Sequence, residues 1–463
     1  APNSSRKPRL PMRLKYLLSV LLAAGLSTAA FANPYEMTLK NGMRVIVKED
    51  RRAPTAVQMV WYRIGSTDEV DGASGVAHVL EHMMFKGTPN VGPGEFNKRV
   101  AAAGGRDNAF TSRDYTAYFQ QVPKEKLEDV MQLEADRMRH LTVDAKEFAQ
   151  EIKVVMEERR MRTDDNPQSK LFEQMNAVAF QAHPYRRPII GWMNDLETMT
   201  AADAKAWYDT WYVPNNAYAI ITGDVNHKEV FALAEKYYAP LEGRPLPVRK
   251  QQVEPAQEGT RKVTVKAPAE LPVLIMGYKA PILRDIEKDS DPYALEMLAS
   301  ILDGHDAARF NKKLVREDKV ALSAGIDYDA TARGPGMIYL HGSPSEGKTV
   351  GDLEAALRTE IARVQKEGIS EQELKRAKAQ LIAGQVYKLD SMFGQAMEIG
   401  QIEAVGLPYQ KLDRMLDKLQ KVTAADIQSV AKKYFNDDAL TIGVLDPQPL
   451  DSKPRRPAAA SRH

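Results

Sequence analysis

Thr200-Ala201-Ala202-Asp203 and Thr423-Ala424-Ala425-Asp426 are one tetrapeptide written twice, 223 residues apart, and the segments after the two copies also match in pattern. The first copy opens a helical pattern that reaches Trp211-Tyr212 and leads into the strand-like run Ala217–Thr222, ending at Asp224. The second reaches Tyr434-Phe435, then the run Ala439–Val444, ending at Asp446. In each, Thr is the expected N-cap, its hydroxyl placed to accept from a backbone N–H of the first helical turn. A lone tetrapeptide can recur by accident; a shared cap, helix, aromatic pair and strand in one order predict duplication. Each copy mixes strands with helices. The expected fold class is therefore α+β: two homologous domains, each a mostly antiparallel sheet with helices packed on one side.

Working outward, residues 33–240 form the expected N-terminal domain and 261–446 its C-terminal homologue. The first begins with a hairpin, Tyr35–Lys40 and Met43–Lys48 around Asn41-Gly42. A strand Ala56–Ile64, a helix from near Gly75 and further helices at 95–103, 124–139, 144–164, 168–180 and 200–212 come next. Residues 241–260, rich in Pro, Gln and Glu without apolar period, read as a linker. After it come strands at 261–267 and 272–279, a helix from Pro292, strands near 320–343 and helices at 350–366, 370–388 and 393–404. Residues 447–463 are Pro-rich and charged, the composition of a disordered tail. At the other end, Arg13 and Lys15 precede the charge-free stretch Tyr16–Ala32, which closes on Ala30-Phe31-Ala32. That layout predicts a signal peptide over 1–32, cleaved after Ala32, and a periplasmic or secreted protein. An uncleaved N-terminal anchor is the alternative.

Composition removes several function classes. The 463 residues carry 64 Lys+Arg against 62 Asp+Glu, a net charge of +2, which lacks the basic footprint of a nucleic-acid binder. The first 32 residues hold five basic groups and no acidic one, so without them the balance moves from +2 to −3. Cysteine is absent, which excludes disulfides, thiolate metal sites, a Cys nucleophile and iron–sulfur ligation. Any metal must then be held by His and carboxylate, and there are eight His to search.

Two of them stand in His78-Val79-Leu80-Glu81-His82. On a helix His82 lies about 40° from His78 and Glu81 about 60° to the other side, so the three share one face. Imidazoles at i and i+4 can hold one Zn²⁺, leaving the carboxylate beside them to take a proton from water at the metal. The remaining His (140, 183, 227, 305, 341 and 463) are scattered without metal spacing. A third ligand is sought on the 144–164 helix, which offers Glu151, Glu157 and Glu158. Glu158 falls about 20° from Glu151, on the face expected to carry Val154 and Val155. Glu157 turns toward Lys153 and Arg160 on the wetter side. A carboxylate on the apolar face needs a buried partner, which favours Glu158 as ligand with Glu151 behind it; pairing with an Arg is the other way such a group is satisfied. Arg159, Arg160 and Arg162 read as a solvated face.

His78–His82, the following Met84-Phe85-Lys86-Gly87-Thr88, and Glu158 resemble the pitrilysin/insulinase family of zinc endopeptidases, whose inverted motif is the inverzincin pattern. The resemblance covers roughly 36–446. It implies one Zn²⁺ per chain on His78, His82 and Glu158, with Glu81 as general base and Glu151 as a supporting carboxylate. Gly104–Thr111 is similar to the family's strand beside the zinc, implying substrate contacts from Asn108, Ala109 and Phe110; strand addition at a sheet edge is the physical basis. Length selects the short, two-domain branch that includes the mitochondrial processing peptidase subunits, whose members clamp together in pairs.

One departure bears on partners. Active members supply an Arg and, a few residues on, a Tyr, to hold substrate and the developing oxyanion. Here Arg316 is present but Leu322 stands where Tyr is expected, and Leu has no donor. The resemblance therefore implies a heterodimer with a paralogous subunit lacking the zinc motif; a homodimer in which Tyr328 or another group substitutes is the alternative. The implied function is zinc-dependent hydrolysis of peptides or unfolded polypeptides outside the cytoplasm, with no nucleic-acid partner and no membrane span once the signal is removed. A non-catalytic assembly subunit of such a heterodimer is the second reading.

Overall fold

The computed structural model describes residues 34–450; the expected signal peptide lies outside them, as does most of the expected tail. The first half contributes β1 (Tyr35–Thr38), β2 (Arg44–Glu49), β3 (Thr55–Tyr62), α1 (Val76–Met83), α2 (Glu95–Ala102), β4 (Arg106–Thr111) and β5 (Thr116–Pro123). After them come α3 (Leu127–His140), α4 (Ala145–Arg159), α5 (Pro167–Ala179), α6 (Met193–Thr198), α7 (Ala201–Trp211), β6 (Ala217–Gly223) and α8 (His227–Tyr237). The second half supplies β7 (Arg261–Pro268), β8 (Val273–Ala280), α9 (Asp291–Asp303), β9 (Ala321–Tyr328) and β10 (Gly336–Pro344). It continues with α10 (Val350–Glu367), α11 (Glu371–Asp390), α12 (Met392–Ala404), α13 (Leu412–Lys421), α14 (Ala424–Tyr434) and β11 (Leu440–Gln448). This last strand runs two residues past the expected domain end at 446, because Pro447 and Gln448 still pair with Ala267 and Pro268.

The duplication is visible in the sheets. Strand order in the first is β1-β2-β6-β3-β5-β4 and in the second β7-β11-β8-β10-β9. Leaving out β1, the two orders match strand for strand. In each, the first and last strands of the half run parallel and all other pairings are antiparallel. The two Thr caps behave alike: Thr200 accepts from the Asp203 N–H and Thr423 from the Asp426 N–H, and both Asp side chains reach back in a capping box.

Each sheet packs its own helices on one face, and the other face receives a helix from the opposite half. In β3, Ala56, Val60 and Tyr62 point into the first half's core, while Val57, Met59 and Trp61 point the other way, toward α12. Tyr218 donates to the Gly400 carbonyl at 2.7 Å and Thr222 to the Met392 carbonyl at 2.8 Å, tying β6 to the same helix. Reciprocally, Leu171 and Met175 of α5 pack on Val265, Val273, Ile275 and Leu445 of the second sheet. With both faces covered, the central strands are buried on both sides and do not alternate with exposed polar residues; the few polar groups they carry, such as Gln58 and Gln120, bond to one another inside. The 241–260 segment contains no helix or strand; within it Glu254 accepts the backbone N–H groups of Gln181, Ala182 and His183.

The tightest point of this exchange is Gly400. A Cβ there would lie 2.1 Å from the Trp61 ring, so only glycine lets α12 seat on the first sheet. Gly400→Ala is expected to cost on the order of 2–4 kcal/mol by forcing overpacking. Gly384→Ala in α11, where a Cβ meets nothing within 4 Å, should be neutral or stabilising by about 1 kcal/mol. Thermal melts of the two variants side by side check this; equal melting temperatures would refute the packing account.

Candidate active site

The site is assembled from α1, the C-terminal end of α4 and the edge strand β4. Gly75 caps α1 at φ 89°, a left-handed conformation, and its Cα side is pressed by Gly191, where a Cβ would come 2.4 Å from the Ser74 carbonyl. Val76, Val79, Leu80 and Met83 bury one stripe of α1 in the core. The other stripe presents His78, Glu81 and His82 together, as the spacing requires. On α4 the buried face is Phe148, Glu151, Ile152, Val155 and Arg159. Val154, expected on that face, is 50% exposed: α4 leans on its neighbours through a narrower stripe than the wheel suggests.

Glu158 comes to 3.4 Å from His82 Nε2 and 3.8 Å from His78 Nε2. One donor atom from each of these three residues lies within 4.8 Å of the others, and this is the one such group among the described residues. The donor set fits a metal. Burial, reinforced by His82 and Arg162, drives the His78 pKa from 6.5 down to about 3, so the ring is neutral and its lone pair free. Burial also opposes charge on His82, but a hydrogen bond to Glu151 and the surrounding carboxylates outweigh it and raise its pKa. The 2.8 Å contact between His82 Nδ1 and Glu151 Oε1 assigns Nδ1 as the donor and leaves Nε2 facing Glu158. Two imidazole nitrogens and one carboxylate, with no thiolate, suit zinc.

Glu151 is held in turn by Lys86, 2.6 Å from its other oxygen. These bonds keep the Glu151 carboxyl below its ordinary value although burial pushes the other way. The stretch after the His pair therefore has structural reasons: Lys86 holds Glu151, Thr88 donates to Asp136, and Phe85 lies 4.9 Å from the buried Arg137 guanidinium. Glu81 faces the same space. Burial pushes its carboxyl up, while the Thr111 hydroxyl, donating at 2.5 Å, and His82 restrain it.

Thr111 ends β4, whose other edge is unpaired in the sheet order. Asn108 is exposed on it, with its side-chain oxygen accepting from the Ala109 N–H; Ala109 and Phe110 are half-buried. Phe110 packs edge-on against Trp61 at 5.5 Å and is committed to the interior. Beside His78 and Glu158 a cleft of about 630 Å³ opens between the halves, walled on the far side by Asp327, Tyr339 and His341. Arg316 and Leu322 do not line it. Arg316 sits exposed on a widened π-helical turn, Phe310–Glu317, and Leu322 on the edge strand β9 is 58% exposed. Tyr328 spends its hydroxyl on the Pro281 carbonyl at 2.6 Å. The basic run also differs from expectation. Arg159 is buried against Glu173 and the Gly191 carbonyl, and Arg162 pairs with Glu158 at 2.7 Å. Arg162 itself is largely exposed, so that pair is weak and yields to a stronger cation. The roles of Thr111, Lys86 and Arg162 were missed in sequence; only Arg162, four residues after Glu158, had a spacing that signalled it.

Comparison with known proteins agrees with this geometry. Residues 44–192 match the family described as insulinase (peptidase family M16), and 198–381 match the peptidase M16 inactive domain. The zinc protease PqqE of Helicobacter pylori is 31% identical over 448 residues, spanning 94% of this chain and 98% of that protein. An uncharacterized zinc protease of Bacillus subtilis, YmxG, is 25% identical over 87% of this chain and 95% of that one. The crystal structure of a protease from Helicobacter pylori overlays with a TM-score of 0.85 at 30% identity, covering 90% of this chain and all of that one. The periplasmic protease PqqL of Escherichia coli shares the fold, with a TM-score of 0.77 at 19% identity; this chain spans 48% of its chain. The chain belongs to the insulinase (M16) family of peptidases. The inactive-domain match begins at the last elements of the first half and runs into α11 of the second, and no described helix is long and apolar enough to cross a membrane.

If the three donors act as one site, Glu158→Ala should abolish stoichiometric zinc, whereas Glu151→Gln should weaken zinc affinity by about 10–100-fold without removing it. Zinc per chain, measured after equilibration with a competing chelator, reads both; equal retention by wild type and Glu158→Ala would sink the assignment.

Proposed function

We propose that this protein is an exported zinc endopeptidase acting on peptides or unfolded polypeptides. The observation that carries the proposal is the convergence of His78, His82 and Glu158 within metal-binding reach of one another, with Glu81 on the same helical face. Zinc bound there supplies a Lewis acid for the scissile carbonyl and lowers the pKa of water. The remaining work falls to the chain. Glu81, its proton affinity raised by burial, takes the proton from the attacking water and passes it to the leaving amine. Thr111 fixes the acceptor oxygen, and Glu151 with Lys86 fixes the His82 ring. A substrate strand added along the open edge of β4, past Asn108, Ala109 and Phe110, would present its carbonyl beside α1. Export is supported by the sequence of residues 1–32, and a periplasmic protease is among the proteins that share the fold.

The partner is inferred from Leu322. Among the described residues no Tyr of the second half reaches the zinc cleft with a free hydroxyl, since Tyr339 donates to Asn176 and Tyr328 to the Pro281 carbonyl; a paralogous subunit is therefore proposed to supply the Arg and Tyr pair in a heterodimer. Two outcomes are expected. Glu81→Gln retains zinc but loses cleavage of an unfolded test polypeptide by about 10²–10⁴-fold; unchanged turnover removes Glu81 from its role. The purified chain alone turns over slowly and gains activity when the co-purifying partner is added back. Full activity from the single chain would end the partner requirement.

A further inference from the structure

Helix α9 of the second half occupies the place of α1, coming after β8 as α1 comes after β3, and its sequence preserves a trace of the same face. Tyr293-Ala294-Leu295-Glu296-Met297 stands where His78-Val79-Leu80-Glu81-His82 stands in the first half. The Leu-Glu pair survives, and both imidazoles are replaced. The rest of the constellation is replaced in step. The last turn of α4 delivers Glu158, and that of α11 delivers Lys388; β4 ends at Thr111, and β9 ends at Tyr328. Both imidazole donors are gone, and no second converging set of metal donors is found among the described residues. The carboxylate, however, was kept.

Glu296 lies at the wall of a second cavity, about 870 Å³, that opens between the halves. It makes no hydrogen bond or ion pair with another described side chain, although it is half-buried among the side chains of the cavity wall. Burial pushes its carboxyl up to about 7; Lys388 opposes this, and Asp329 and Glu398 add to it. Such a group is costly to keep charged unless a cation comes to it. The same cavity presents four further carboxylates, on Asp114, Asp327, Asp329 and Glu398, against two cations, Arg113 and Lys388. Asp114 accepts from Tyr185 and the Arg333 N–H, Asp327 pairs with His341, Asp329 accepts from Thr331 and Glu398 from Gln385, so Glu296 is the carboxylate of the set left without a polar partner. One wall is apolar: Leu412, Met415, Leu416 and Leu419 of α13 line it, and no residue of that helix is fully buried. An apolar wall leading to a half-buried carboxylate matches a long aliphatic stem with a positive head. The cavity also shares Arg113, Phe172, Asp327 and Tyr339 with the cleft beside His78, so the two spaces adjoin.

We infer that the Glu296 cavity is a substrate-anchoring subsite that receives a Lys or Arg side chain of a polypeptide whose other part reaches the zinc cleft. This inference rests on the proposed peptidase activity, and the test separates the two. The probe is a series of labelled neutral peptides in which one Lys is moved along the chain, each paired with its norleucine counterpart. Binding is measured by anisotropy to the zinc-loaded Glu81→Gln chain, which does not consume the probe. The expected result is a register at which Lys binds about tenfold tighter than norleucine, with the preference lost on adding Glu296→Gln. Should that variant melt early, Glu398→Gln carries the same comparison and is expected to reduce the preference. Equal affinity for Lys and norleucine at every register, or a preference that survives Glu296→Gln in a folded chain, overturns the subsite. Cleavage of the same peptides by wild type, with and without zinc, tests the peptidase separately. Lys preference without cleavage sinks the activity and keeps the subsite; zinc-dependent cleavage without Lys preference does the reverse.

Discussion

The guanidinium of Arg159 is the joint on which the site depends. It is buried at the end of α4, next to Glu158, and forms a bidentate pair with Glu173 of α5 at 2.8 and 2.9 Å. The same group donates to the Gly191 carbonyl at 2.8 Å. Gly191 lies against Ser74 and Gly75, at the start of the helix that carries both imidazoles. One side chain thus fixes α4 to α5 and to the N-terminus of α1. Removing one partner of a buried pair strands the other charge, at a cost of about 3–5 kcal/mol. Here that loss would fall on the relative position of Glu158 and the His pair, where errors well under an ångström matter to a metal.

Helix α5 also carries Leu171 and Met175 into the second sheet, so the Arg159 joint reaches beyond the first half. The exchange of α5 and α12 makes each half supply a face that the other cannot cover. A duplicated fold with one exposed sheet face per copy would leave an apolar surface on both. Interlocking removes both surfaces at once and leaves clefts where the exchanged helices meet the sheet ends. Those clefts are where His78 and Glu296 lie. The architecture that stabilises the pair of halves is therefore the one that creates the clefts in which a neutral imidazole and a raised carboxyl are found.

Much of this was legible in the sequence because the relevant signals are local. The i, i+3, i+4 spacing of His78, Glu81 and His82 needs only a helix, and the Thr caps need only a turn. The α+β duplication came from element order. What escaped depends on contacts distant in sequence. Val154 keeps the helical period but lies at the margin of the buried stripe, half of its surface left to solvent. Arg159 looks like part of a solvated basic run until Glu173, 14 residues on, folds back to it. Helix α13 has no fully buried residue; Leu412, Met415, Leu416 and Leu419 keep a clear helical period, half-buried between the second half's core and the cavity, and the helix was passed over in a sequence read around its repeat. Thr111 was read as part of a strand; its role comes from Glu81, 30 residues away.

The electrostatics of the two halves separate what duplication began with. In the first, two imidazoles, Glu151 and Lys86 surround a carboxylate pair, so positive and negative groups alternate within one hydrogen-bonded set. Burial there sets His78 neutral and Glu81 proton-hungry, the two states a metal ligand and a general base require. In the second, Tyr293 and Met297 replace the imidazoles, and Lys388 stands in for the ligand carboxylate, leaving Glu296 with no immediate partner. A half-buried carboxylate without a partner is a cost to the fold. A helix that lost its two metal ligands had no need to keep that cost, since a Leu or Met at 296 would pack the same cavity wall. That the carboxylate stands there beside an apolar wall is what separates a binding role from a mere remnant of the copied motif.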